Sequence, residues 1–293
     1  MIHSTPQAPS HSRLKCLHHC SRQYYHKYVC EQEEDEILVL PLHLGKVMHA
    51  GLDSYYRGDD WERALMEAWN NAGFYGDDAW CTYGHTLLRM KKYIAEDAGN
   101  WTPLLLHKDD ILWENIVAHE CKWDQDGNMI LSESRLHVKL GVFSIEVICV
   151  PDLVLMHDFG EGNVPVVVDH KCRMGWINEK QRSEMEVGHQ LRIQALVVEA
   201  ITGLRCRDGW MNSIYVGENS VKPKSKAKMR ELSMFGPWSH EQMAATWEWL
   251  QQGQEEALRY EKMAKEVVSM RVWPMNPGQH CHYCEFREEC VGE

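Results

Sequence analysis

Two short clusters hold much of the reactive chemistry in this chain. The first is Pro151-Asp152 and, after sixteen intervening residues, Asp169-His170-Lys171. Each closes an apolar run, so two carboxylates and a lysine fall at neighbouring strand ends. Carboxylate oxygens are hard ligands suited to Mg²⁺ or Mn²⁺. Such a cation polarises a phosphate and acidifies a bound water, while a lysine positions that water or offsets developing charge. The second cluster is Cys281, Cys284 and Cys290, spaced C-x2-C-x5-C beside Pro274, Pro277 and Gly278. The C-x2-C step lets two thiolates reach one centre from a tight turn, and a tetrahedral or cubane site needs a fourth ligand. His280 or His282 would complete a Cys3His zinc site. Cys16, Cys20 or Cys30, far upstream, would complete a four-cysteine one.

Composition bounds what surrounds these clusters. The 293 residues are 44% hydrophobic and 25% charged, which is globular and excludes wholesale disorder. No apolar run approaches the roughly 20 residues of a membrane span. The opening MIHSTPQAPSHS has no basic segment followed by an apolar stretch, and eleven cysteines without a secretory signal fit a reducing, cytoplasmic setting. Thirty-one basic against 43 acidic residues give −12, which argues against a protein that coats nucleic acid everywhere and leaves room for a local groove.

The periodicity predicts the elements that must carry the clusters. Residues 12–30 form a basic–aromatic helical stretch, and 43–57 form a helix with His49, Leu52 and Tyr56 near one face. Further helical pattern over 58–105 reads as an insertion. From about 112 the period becomes two, and Asp126-Gly127 marks a hairpin bend. A strand region ends at His157, VPVVVDHK reads as a strand buried on both faces, and a helix ends at Gly203. One more strand, a basic run, a long helix over 239–270 and the cysteine tail complete the order. The class is α/β, with a mixed sheet flanked by helices.

Taken together, these residues resemble the iron–sulfur members of the RecB-type branch of the PD-(D/E)xK nucleases. That branch includes the nuclease domain of AddB, CRISPR-associated spacer-acquisition exonucleases and phage exonucleases. SRLKCLHHCSRQYYHKYV resembles its N-terminal cysteine segment, LGKVMHAGLDSYY its helix with a glycine and a histidine, and WPMNPGQHCHYCEFREEC its three-cysteine tail. Gln190 matches the glutamine of the helix after the second acidic motif. Two positions depart from the usual pattern: Gln194 stands where a tyrosine is frequent, and Val150-Pro151 where a glycine is.

The resemblance implies a single restriction-endonuclease-like nuclease domain over residues 1–293. His49, Asp152, Asp169 and the His170 backbone carbonyl would hold Mg²⁺ or Mn²⁺. Lys171 would orient the attacking water, and Gln190 would position Lys171 or the scissile phosphate. Cys20, Cys281, Cys284 and Cys290 would bind a [4Fe-4S] cluster, or zinc in the same ligands, with 12–30 and 273–291 forming a clamp. Arg22, Tyr24, Tyr25, Lys222, Lys224, Lys226, Lys228 and Arg230 are candidate nucleic-acid contacts. The activity implied is a metal-dependent DNA exonuclease, with endonuclease activity as a variation. DNA ends in recombination, repair, phage processing or spacer acquisition would be the substrate, with a helicase, recombinase or integrase as partner. The competing reading is a catalytically silent DNA-binding subunit that scaffolds such a partner.

Overall fold

A computed structural model describes residues 8–30, 40–72, 83–96, 100–141, 145–160, 162–173, 188–215, 230–266, 273–278, 281, 284, 286–287 and 290. The chain divides into two compact units, Leu38–Val138 with Cys149–Ser239, and Met1–Ile37 with Lys139–Ile148 and His240–Glu293.

The larger unit is organised by a mixed sheet of order β5-β6-β7-β8, formed by Leu153–Asp158, Asn163–Arg173, Asp208–Tyr215 and Arg230–Phe235. β6 pairs antiparallel with β5 and parallel with β7, and β8 returns antiparallel along β7. Val166, Val167 and Val168 are all 0% exposed, so the middle of β6 is covered on both faces, as its unbroken apolar run predicts. Helix α6 (Gln190–Thr202) connects β6 to β7 and packs on both; it ends at Gly203, whose φ of +69° supplies the left-handed cap.

Helix α3 (Leu40–Tyr56) packs against β6. Leu44, Val47, Met48 and Leu52 form its buried stripe, and Val47, Met48 and Leu52 share a core with Leu153, Leu155, Val166 and Val168. The segment read as a helical insertion contains α4 (Trp61–Asn71), whose N-cap is Asp60, and α5 (Tyr83–Glu96). Leu65, Met90 and Tyr93 bring these helices into the same core. They approach α3 closely at Gly51, where an added Cβ would lie 3.0 Å from Leu65 and 3.2 Å from Met90.

A second set of strands has the order β1-β3-β2, formed by Leu105–Leu106, Met129–Leu140 and Ile116–Trp123. The β2–β3 bend falls where Asp126-Gly127 predicts it, and the Asp124 carboxylate accepts the Asp126 and Asn128 N–H groups at 2.9 and 2.8 Å. β2 begins at Ile116 rather than near 112, because Trp113–Asn115 forms a 3-10 turn. β4 spans Ile145–Cys149.

The smaller unit contains α1 (His11–His19), α2 (Ser21–Tyr24) and α7 (His240–Glu266). The basic–aromatic stretch is not one helix: Cys20 is extended at φ −156°, ψ 107°, and the chain ends in a π turn over Tyr25–Val29. Leu17, Tyr24, Val29, Ala257 and Trp273 form this unit's core. Among the described residues, no helix is long and apolar enough to cross a membrane.

Candidate active site

The ends of β6 and α6, one stripe of α3, a kink in β3 and the turn before β5 converge in the larger unit. His49 lies on the α3 stripe beside the buried one. Its Nε2–H donates to the His170 carbonyl at 3.0 Å, and its Nδ1–H donates to Glu133 at 2.5 Å. Asp152 accepts the His170 backbone N–H at 2.6 Å and lies 3.9 Å from His49 Nδ1. Asp169 Oδ1 accepts from both Lys171 Nζ at 2.9 Å and Gln190 Nε2 at 2.8 Å. The structure therefore brings His49, Asp152, Asp169, His170, Lys171 and Gln190 into one network. Gln190 reaches Lys171 through the shared Asp169 oxygen. A cavity of about 780 Å³ opens onto this network and includes His49, Glu133, His170 and Lys171 in its walls.

The electrostatics suit a cation. Burial, then the neighbouring Asp169 charge, pushes the Asp152 carboxyl up to about 7. Burial pulls His49 down, but the Glu133 hydrogen bond and the Asp152 and Glu133 charges outweigh it and raise the imidazole to about 9. Asp169 Oδ2 is buried and has no hydrogen-bond partner. An orphaned, buried carboxylate oxygen is costly unless a proton or a cation meets it. One ligand atom each from His49, Glu133 and Asp152 lies within 4.8 Å of the others, a spacing that fits a divalent ion.

His170 is held by its ring. It lies between Tyr56 and Trp101, with centroids at 6.3 and 6.0 Å and planes tilted by 9° and 12°. Asn212 Nδ2 donates to its Nδ1 at 2.9 Å. Burial keeps the imidazole well below its ordinary pKa, so the ring is neutral and fixes the backbone whose carbonyl faces His49.

Glu133 is the residue that sequence reasoning missed. Between Glu120↔Arg135 and Lys122↔Ile130, β2 advances two residues while β3 advances five, so residues 131–134 form a bulge. Glu133 has φ +48°, the one non-glycine positive φ among the described residues. Backbone strain of this kind concentrates at functional sites. Glu133 N–H donates to the Pro151 carbonyl at 2.8 Å and Ser132 Oγ to the Asp152 carbonyl at 3.2 Å, tying the bulge to the first acidic motif. The available signal is Ser132-Glu133-Ser134 directly after the apolar run Met129-Ile130-Leu131, with Ser132 and Ser134 almost fully buried.

In the smaller unit, the Cys290 thiol is raised by burial and by the neighbouring Cys284, while Arg22 opposes and Cys20 and Cys281 add to the rise. All four expected sulfur ligands therefore share one electrostatic neighbourhood, beside a cation. Gly278 N–H donates to Cys281 Sγ at 3.4 Å. Ser21 Oγ donates to the Pro274 carbonyl at 2.8 Å, Arg22 Nε to the Trp273 carbonyl at 3.1 Å, and Asn276 to the His19 carbonyl at 2.8 Å. These bonds join the two ends of the chain.

Several of the expected nucleic-acid contacts have partners within the protein. Tyr24 is 3% exposed and stacks on Trp273 at 5.8 Å, so it offers no face to a base. Tyr25 packs on the same indole at 5.4 Å. Arg230 lies over the Trp101 ring at 5.3 Å. Lys222, Lys224, Lys226 and Lys228 fall outside the described residues, as do His280 and His282.

No curated protein sequence matches the chain. Among solved structures, the protein SSO0001 aligns over 97% of this chain and 86% of its own, at 10% identity and a TM-score of 0.33. A sequence-family model, the PD-(D/E)XK nuclease superfamily, matches residues 8–291, a span that contains every residue of the network just described. The chain belongs to the PD-(D/E)XK nuclease superfamily.

Proposed function

We propose that this protein is a metal-dependent DNA exonuclease that hydrolyses phosphodiester bonds at DNA ends. The observation that carries the reading is the shared Asp169 oxygen. Asp169 Oδ1 anchors Lys171 and Gln190, while Asp169 Oδ2 is buried without a hydrogen-bond partner. His49, Glu133, Asp152, Asp169 and the His170 carbonyl would hold Mg²⁺ or Mn²⁺, which supplies charge stabilisation at the phosphate and a more acidic water. Lys171 is 38% exposed at its side chain, so its ammonium reaches the cavity while Asp169 keeps it in place. There it donates a hydrogen bond to the attacking water or to a phosphate oxygen. Gln190 fixes the Asp169 carboxylate and thereby the lysine. The aromatic packing of His170 keeps its carbonyl aimed at His49 as substrate enters.

The same proposal assigns Cys20, Cys281, Cys284 and Cys290 to a [4Fe-4S] cluster. The charge contacts of Cys290 with the other three thiols and the Gly278 N–H aimed at Cys281 support it. Closing a loop of about 260 residues, the cluster would hold the chain's ends together.

End-labelled linear DNA and closed circular DNA, each single- and double-stranded, separate the outcomes. An exonuclease releases mononucleotides or short oligonucleotides from one end of the linear substrates and leaves circles intact. Cutting of circles would make the enzyme an endonuclease. Binding of DNA without cleavage of any substrate in Mg²⁺ or Mn²⁺ would favour the silent scaffold.

A further inference from the structure

The cavity-lining stripe of α3 carries more than His49. Lys46, His49, Ala50 and Asp53 follow one another at helical spacing and all line the cavity. At about 1.5 Å of rise per residue, Lys46 lies about 4.5 Å before His49 along the axis and Asp53 about 6 Å after it. Asp53 is buried and holds a second lysine in place: Lys122 Nζ, from β2, donates to its Oδ2 at 2.6 Å. Arg57 joins the same oxygen at 3.1 Å. Arg57 also pairs with Asp59 at 3.0 Å, so two carboxylates face two cations, and of these cations Lys122 lines the cavity. An ammonium has three donors, and Lys122, 33% exposed at its side chain, lines the cavity wall with the others available. At the opposite end of the stripe, Lys46 is exposed. Among the described residues that line the cavity, none is an aromatic that could stack on a base; apart from the histidines, they offer charge and small side chains.

We propose that Lys46 and Lys122 bind the phosphates on either side of the scissile one, so that the site reads a nucleic-acid backbone through its charge and not its bases. The proposal rests on the nuclease reading above and extends it to the flanking nucleotides. Lys46 and Lys122 bracket the acidic group along α3, about one helical turn to each side. A strand laid along the cavity would then present one phosphate to the carboxylates and one to each lysine. Asp53 is a positioning residue: it fixes the Lys122 ammonium before substrate arrives.

The test uses the full-length protein and Lys46→Ala, Lys122→Met and Lys122→Arg variants, with Lys262→Ala as an exposed control on α7. Binding of a fluorescent oligothymidylate is measured in Ca²⁺ across a salt series. Turnover in Mg²⁺ is measured on that strand and on bis(p-nitrophenyl) phosphate, a diester with no flanking phosphates. Each single-strand phosphate contact contributes about 0.7 to the salt slope, or roughly fivefold in affinity at about 0.1 M salt. Lys46→Ala and Lys122→Met are expected to lose about that much of the slope and of the affinity, and to raise KM on the strand. Turnover of the small diester stays at the wild-type level. Lys122→Arg restores binding, which separates the loss of a contact from damage around Asp53. Unchanged slopes and affinities in Lys46→Ala and Lys122→Met, or equal losses on both substrates, would overturn the proposal. If the wild type cleaves neither substrate but the two variants still lose slope, the nuclease reading fails and the phosphate contacts stand.

Discussion

Glu133→Gln in metal-free protein isolates the residue that the β3 bulge delivers to the site. In the wild type, His49 titrates at about 9 although burial pulls it down, because the hydrogen bond to Glu133 and the charges of Asp152 and Glu133 dominate. The amide removes the charge and most of the hydrogen-bond preference for imidazolium, so burial wins and His49 returns toward or below its ordinary value. The gap between 6.5 and about 9 corresponds to about 3 kcal/mol of preference for the protonated form. Because the folded-state pKa lies above the unfolded one, that stabilisation is complete below about pH 6.5 and is lost as pH rises through about 9. The assay is a titration of ¹³C-labelled histidine in EDTA, with the His49 signal identified by its disappearance in His49→Gln. Wild type is expected to show a midpoint near pH 9, and Glu133→Gln a midpoint at or below the ordinary histidine value. The same high midpoint in both proteins would refute the assignment of Glu133 as the partner that sets His49.

Four more outcomes follow from the geometry. Gln190→Ala leaves Asp169 with Lys171 alone, and is expected to lower kcat about 10- to 100-fold with KM little changed, as for other residues that orient a metal ligand; steady-state kinetics check it. Cys20→Ser is expected to abolish the iron and visible absorption of anaerobically purified protein while Cys16→Ser keeps both; a colourless wild type carrying one zinc would contradict the cluster. Gly51→Val forces a branched side chain against Leu65 and Met90, for an overpacking cost of about 1–3 kcal/mol and a Tm several degrees lower by differential scanning fluorimetry. In chelated protein, Mn²⁺ binding should strengthen as pH rises through about 7, because the cation displaces the proton that burial and Asp169 place on Asp152; titration calorimetry at several pH values reads the proton release.

Much of this site was legible in the residues because charged groups ending apolar strands have few places to go. Asp169 and Lys171 follow three valines that fill the centre of β6, which puts both just past the end of the β5 pairing, where Asp169 meets Gln190 of α6. Glu133 was not legible in the same way. Period-two alternation describes a regular strand, and a bulge with one left-handed residue is invisible to it until the register is known. The helix expected over 12–30 breaks at Cys20, where the extended backbone separates α1 from α2; helical pattern alone carries no sign of that break. The aromatic and basic residues mixed through 22–28 suggest a base-stacking surface, and the sequence does not show what the tyrosines pack against. Their partners come from residues such as Trp273, about 250 positions away, and that pairing is a tertiary fact.

In the proposed mechanism, His49, Glu133, Asp152 and Asp169 hold a divalent cation at which Lys171 promotes phosphodiester cleavage. Mn²⁺ binding by electron paramagnetic resonance and DNA cleavage, measured side by side on wild type, Lys171→Ala and Asp152→Ala, test it most directly. Lys171→Ala is expected to bind Mn²⁺ like the wild type without cleaving, and Asp152→Ala to lose both. Wild-type cleavage by either variant, or undiminished Mn²⁺ binding by Asp152→Ala, would contradict it.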